Sequence, residues 1–410
     1  MEFRRKIFAL PLCIVVLTLI LAASKSAAAQ EFIYTSDFAG NSISAFAFNT
    51  ATGKVTELPE LPFGAGGSGA AEGPINMAHS PDGRFVYVVF IGQLIDRPCG
   101  FNNGELLSYS VDPRSGALAL IDEEVLSGFC AQGLGLDPTG QFIYAASFPE
   151  EGPKVGIIDG YRISNGHLMP LPGTPFASPI EVADGQNPAI ANMVVSSDGR
   201  ELYASDPNNA AGILIFDRDT KIGSLTFREA FNTNTPLGSI AITPSGKFLL
   251  AAGGSVMFEY EIGAHGELSP APGQPFSVPG GAGVVAVSPD GDFAASVGQG
   301  ISMQRENQHG RLSLVPGSPF GGPNAFGVAM TFDPSGRFLL LPGLIFRVHP
   351  ETGALTKVTD FASGGDGITV LQPCKVHDER GNGKRDADGK DDDGKQDHDC
   401  NEGKGNQGRD

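Results

Sequence analysis

The sequence predicts an all-β fold, a seven-bladed β-propeller closed by an exchange of N- and C-terminal strands and followed by a disordered acidic C-terminal tail. Three observations lead there. Gly 56 and Pro 30 among 410 residues leave little room for long helices. Two turn signatures alternate along the chain, six copies of one and seven of the other. The two ends of the repeat region carry the strands that would make the counts equal.

The first signature is a strand, a tight turn and a strand. Ser80-Pro81-Asp82-Gly83 recurs as Asp137-Pro138-Thr139-Gly140, Ser196-Ser197-Asp198-Gly199, Thr243-Pro244-Ser245-Gly246, Ser288-Pro289-Asp290-Gly291 and Asp333-Pro334-Ser335-Gly336. Pro pre-sets the turn, Asp or Ser bonds its own backbone and Gly accepts positive φ, so each copy reads as a hairpin. The second is a turn ending in Gly53, Gly116, Gly166, Gly223, Gly266, Gly310 and Gly353. Phe32-Ile33-Tyr34 is the strand that elsewhere follows the first turn, and Asp366-Gly367-Ile368-Thr369-Val370-Leu371 is the one that elsewhere precedes it. A ring closed by this exchange hides its sheet edges. Setting aside residues 1–29 and 374–410 leaves 344 residues, about 49 per blade.

Residues 1–29 read as a signal peptide. Arg4, Arg5 and Lys6 precede an apolar run, and Ala27-Ala28-Ala29 supplies a cleavage site before Gln30. The mature chain, residues 30–373 plus the tail, is expected in the periplasm or outside the cell, with no membrane partner after cleavage. Cys99, Cys130, Cys374 and Cys400 remain, and four cysteines allow three pairings; proximity favours Cys99–Cys130 and Cys374–Cys400. A net charge of -18 argues against nucleic acid, which is bound through Lys and Arg. A closed ring has no need of a partner subunit, so a monomer is expected. The tail holds 8 basic and 11 acidic residues and almost nothing apolar. Its Asp386, Asp388, Asp391 and Asp393 alternate as in calcium loops but lack that loop's spacing, so no cofactor is firmly implied and calcium is a secondary expectation.

The Ser-Pro-Asp-Gly-Arg-Phe-x-Tyr and Thr-Gly-x-Leu phrases resemble those of the lactonase-type seven-bladed propellers, the family of 6-phosphogluconolactonases and carboxymuconate cyclases. The resemblance spans residues 31–373. It implies the fold, and for the active members a Pro-His pair and a Pro-Arg-His run at the start of innermost strands. Here those openings read Pro74-Ile75-Asn76, Pro236-Leu237-Gly238 and Pro323-Asn324-Ala325. Neither His nor Arg stands where the family places it, which argues against sugar-phosphate lactone hydrolysis.

Loops joining second to third strands, and outer strands to the next inner strand, share one face, and the insertions there concentrate on blades 1–4. They carry Asp37, Glu72, Arg97, Glu150, Glu151, Glu181, Asp184 and Asp206. Asp37, Arg97, Glu150 and Asp206 are the binding candidates, on one side of a mostly acidic rim. His79 reads as a buried, hydrogen-bonded core residue, and His167, His265, His309 and His349 fall at turns on the opposite face. With no base placed for hydrolysis, catalytic residues stay unassigned. The sequence therefore favours a secreted scaffold that holds a small molecule, carbohydrate or protein on its elaborated face. A divergent lactone or ester hydrolase using the acidic rim, with or without a divalent cation, is the alternative.

Overall fold

The computed structural model describes residues 30–58, 63–64, 73–91, 103–148, 155–181, 190–207, 212–307, 311–322, 329–363 and 365–374. The expected leader, Glu72, Arg97, Cys99, Glu150, Glu151, Asp184, His309 and the tail with Asp386, Asp388, Asp391, Asp393 and Cys400 lie outside these residues, as does the side chain of Glu181.

Seven antiparallel sheets are present, and no α-helix occurs among the described residues. Blade 1 is closed as the termini require: Gly367–Leu371 is its inner strand and pairs with Gln30–Asp37, from Phe32 opposite Leu371 to Ser36 opposite Gly367. The inner strands of blades 2–7 are Pro74–His79, Phe129–Leu136, Asn192–Val195, Ser239–Ile242, Val284–Val287 and Thr331–Phe332. Each chain segment then runs outward. The second strands are the most apolar, as Phe85–Phe90 (FVYVVF) shows, because both of their faces are covered by neighbouring blades. The core is accordingly a series of seams, one between each pair of blades.

The lower face carries all six copies of the first turn, built by the same bonds. In each, the glycine N–H donates to the carbonyl three residues earlier, as from Gly83 to Ser80 (2.9 Å) and Gly336 to Asp333 (2.9 Å). The first side chain accepts from the backbone N–H five residues on: Ser80 from Phe85, Asp137 from Phe142, Ser196 from Glu201, Thr243 from Phe248, Ser288 from Phe293 and Asp333 from Phe338. The first and third side chains also bond each other. In five copies carboxylate and hydroxyl exchange places, with Ser80 donating to Asp82 (2.6 Å) but Thr139 donating to Asp137 (2.6 Å), and in the sixth the hydroxyls of Thr243 and Ser245 pair at 3.0 Å. Each arrangement leaves one donor matched to one acceptor.

Adjacent blades are tied by tyrosines of the second strands. Tyr34, Tyr144 and Tyr203 donate to the carbonyls of Gly116, Gly223 and Gly266, each in the glycine-ended turn of the following blade, at 2.7 to 2.9 Å. Those glycines have φ of 73° to 77°, and a Cβ at Gly116 or Gly223 would fall within 2.5 Å of Phe32 or Phe142. Between blades 3 and 4 the fully buried Arg218 adds to this tie. Its Nε donates to Tyr144 Oη (2.6 Å), its Nη1 to the Gly199 carbonyl (2.7 Å), and its Nη2 lies 3.5 Å from Asp137. In blade 4 the phenylalanine that opens the second strands of blades 2, 3, 5, 6 and 7 is replaced by Glu201, and Arg228 from the outer strand pairs with both Glu201 and Asp217.

Candidate functional site

The inner strands enclose a central channel of about 580 Å³. Its wall is mainly apolar, with Ile75, Met77, Leu136, Val284, Met330 and Ile368, and is interrupted by Asn76, Gln132, Asp366, Thr331, Thr369 and His79. The polar groups are graded from top to bottom. Asp366 precedes the closing strand at the upper mouth, where its Oδ2 accepts from the Phe38 N–H (2.8 Å). Asn76 sits at the top of the next blade; its Nδ2 donates to the Gln132 carbonyl (3.0 Å) and its Oδ1 accepts from the Met77 N–H (2.9 Å). Asn192, in the same slot two blades on, reaches across likewise and accepts from the Ile240 N–H (3.3 Å). The two asparagines thus spend their amides on linking inner strands. Gln132 and Asp366 keep polar capacity directed into the channel.

At the lower end, His79 Nδ1 meets Thr369 Oγ1 at 2.8 Å, bridging blade 2 to the closing strand of blade 1. The hydrogen bond is as expected, whereas the setting in the core is not. His79 is half-buried and forms channel wall, because the inner strand turns this side chain toward the axis. Burial pushes its imidazole down to about 4, against a smaller upward pull from Asp82, so it is neutral at physiological pH.

Asp37 and Asp206 follow the second strands of blades 1 and 4. They stand three blades apart in the ring of seven. Neither is among the side chains that line the channel. Asp37 Oδ1 accepts from the Gly40 N–H (2.9 Å), closing its own turn. Asp206 is half-buried in a loop whose backbone bonds Gly212 and Leu237. A buried carboxylate holds the rim between blades 2 and 3: Asp159 accepts from the Ser127 N–H (3.0 Å) and hydroxyl (2.6 Å), although burial raises it above the usual carboxylate range. Cys130 and Cys374 are both disulfide-bonded. Among the described residues, no group of three or more His, Cys, Asp or Glu is placed to hold a metal ion.

Residues 24–148 match the lactonase seven-bladed β-propeller family. The match covers the part of the chain that forms blade 1, blade 2 and the start of blade 3. The ring's solved likenesses agree in fold. A candidate 6-phosphogluconolactonase from Bacteroides uniformis superposes with a TM-score of 0.69 at 19% identity, over 84% of this chain and 100% of that one. One from Bacteroides fragilis gives 0.66 at 21%, over 84% and 99%. The periplasmic gluconolactonase of Pseudomonas aeruginosa gives 0.67 at 17%, over 84% and 99%. No curated protein sequence matches. The channel residues Asp366, Gln132 and Thr369 escaped the sequence reading. No repeated position marks them: aligned on the first turn, the slot four residues before it reads Asn76, Gly133, Asn192, Ser239, Val284 and Ala329, a polar bias that holds the two strand-linking asparagines but none of these three.

Proposed function

We propose that this propeller binds an uncharged polyhydroxylated ring, a sugar or sugar lactone, at the upper end of its channel. One observation carries the reading: Gln132 and Asp366 offer hydrogen bonds from an apolar wall, while no Lys or Arg is among the described lining residues and His79 is neutral. Phosphate recognition relies on cations, above all Arg, whereas amide and carboxylate groups on an apolar wall suit hydroxyls. The fold shared with gluconolactonases supports the lactone as one member of that class. Hydrolytic opening is the second reading, supported by the Asp366 carboxylate at the mouth, the only such group in the described lining that could act as a base there. The leader-like residues 1–29 and two disulfide-bonded cysteines support action outside the cytoplasm.

Calorimetric titration of the mature chain with glucono-1,5-lactone, gluconate and 6-phosphogluconate tests the proposal. The neutral lactone should bind, the phosphorylated acid should not, and Gln132→Ala should weaken binding by about tenfold, the worth of a hydrogen bond of ~1.4 kcal/mol. Tighter binding of the phosphorylated acid overturns it. In a pH-stat, lactone turnover that Asp366→Asn abolishes would establish the hydrolase reading.

A further inference from the structure

Between blades 5 and 6 the structure buries polar groups for which ring closure has no use. The third strand of blade 5, Val256–Ile262, places Glu259 directly opposite Leu250 of the second strand. In blades 1–4 that second-strand slot holds Tyr34, Tyr87, Tyr144 or Tyr203. Leu250 and Met257 pack there against Val285, Ala294 and Leu312 of blade 6. Glu259 is fully buried in this apolar seam, and neither of its carboxyl oxygens has a hydrogen-bond partner. Blade 6 answers with its third strand, Gly300–Asn307. Gln304, opposite Ala294 and 1% exposed, has an unpartnered side-chain nitrogen, and the hydroxyl of Ser296 on the second strand is likewise buried and unpartnered. Two residues further, Glu306 is half-buried and lines a groove of about 380 Å³ that opens on the lower face.

We propose that the interface of blades 5 and 6 is a pH-responsive seam, shut while Glu259 and Glu306 carry at most one negative charge between them and loosened when both ionise. An ionised carboxylate without a donor in an apolar seam is costly, and such a group takes up a proton instead. The surroundings do not offset a second charge. From blade 5 the facing charged groups are Lys247 and Glu261. From blade 6 they are Asp290 and Asp292 in the first turn, and Arg311, which lies beside Gly273 at the outer rim. Arg305 is turned the other way, over Phe293 and toward the Glu351 carbonyl. His309 lies outside the described residues.

Burial, followed by the charge of Glu306, pushes Glu259 up to about 8; burial, followed by Asp292, pushes Glu306 up to about 7. Both folded values exceed that of a free glutamate. The stability the pair contributes is therefore complete in acid, below the unfolded value, and is lost as pH rises through about 7 to 8.

The test is the melting temperature of the full mature chain between about pH 6 and about pH 9, for wild type, Glu259→Gln and Glu306→Gln. Gln matches a protonated carboxyl in shape. The wild type should lose melting temperature across this range, and Glu259→Gln should lose less than half as much. Equal losses in wild type and Glu259→Gln overturn the proposal. Should Glu259→Gln not fold, ¹³C-carboxyl NMR of the wild type decides instead. A glutamate resonance titrating above about pH 6.5 that disappears in Glu306→Gln or shifts its midpoint there supports the seam; Glu31, in blade 1, is also pushed up to about 8 by burial, so the proposal is refuted when no high-titrating resonance responds to Glu306→Gln.

Discussion

The lower face of the ring and the wall of its channel obey different rules. Below, six turns repeat one set of hydrogen bonds and three tyrosines make one interblade contact. Around the channel no two described blades present the same set of side chains: Asp366 and Thr369 in blade 1, Asn76 and His79 in blade 2, Gln132 in blade 3, Val284 in blade 6. Both regions lie on the same strands. Blade-to-blade packing is the same problem solved seven times, so its residues repeat, whereas a ligand is met once and needs different groups from each side.

The largest effect that could break this contrast is at the closure. Removing residues 366–373 leaves blade 1 without its inner strand, exposing the edge of Gln30–Asp37 and the buried Phe32 and Tyr34. We expect loss of the cooperative thermal transition; a transition at the wild-type temperature would show that the ring does not depend on closure. Next comes the buried charge between blades 3 and 4. Asp137→Ala strands the guanidinium of Arg218 and also removes a turn bond, so urea unfolding should report a loss of about 3–5 kcal/mol.

The tyrosines sharpen the comparison at smaller scale. Tyr144→Phe and Tyr203→Phe each delete a hydrogen bond to the next blade and should cost about 1 kcal/mol. Tyr87 occupies the same slot, but its buried hydroxyl has no partner, so Tyr87→Phe should cost nothing or stabilise in the same urea assay. A uniform cost for all three would mean that the staple is not what the slot supplies.

The smallest effect is a pH dependence at the channel's lower end. Because burial depresses His79 to about 4, its contribution is complete above the free-imidazole value and is lost as pH falls toward 4. Glu259 and Glu306 act on the opposite side, in alkali. His79→Gln keeps a group able to reach Thr369 but cannot titrate, so melting temperature should fall less steeply with acidification than in the wild type. An unchanged acid slope would remove His79 from the account.

Much of the ring was legible because the repeat encodes it in local chemistry. Positive φ at Gly83 and the backbone bonds of Ser80 or Asp137 need only the turn's own residues, and the paired counts of turns led directly to closure by Phe32-Ile33-Tyr34 against Ile368-Thr369-Val370. The candidate site was less legible. Exposed acidic loops drew the reading toward Asp37 and Asp206, whereas the channel takes its polar groups from inner strands, where a single Gln or Asp in an apolar run carries no local mark. Glu259 was missed for a related reason: in sequence it is one more acidic residue of an outward-looking strand, Val256–Ile262.

The sequence by itself determined the all-β class, the number of blades, the turns and the joining of the ends, since each rests on interactions among residues near one another or repeated at a fixed interval. Only the tertiary structure decided which side chains meet. The seven inner strands converge on one axis, and that convergence sets Asp366 and Gln132 at a common mouth, joins His79 to Thr369 and leaves Glu259 without a donor between two blades. Those outcomes depend on distances between residues from separate blades, which no local pattern records.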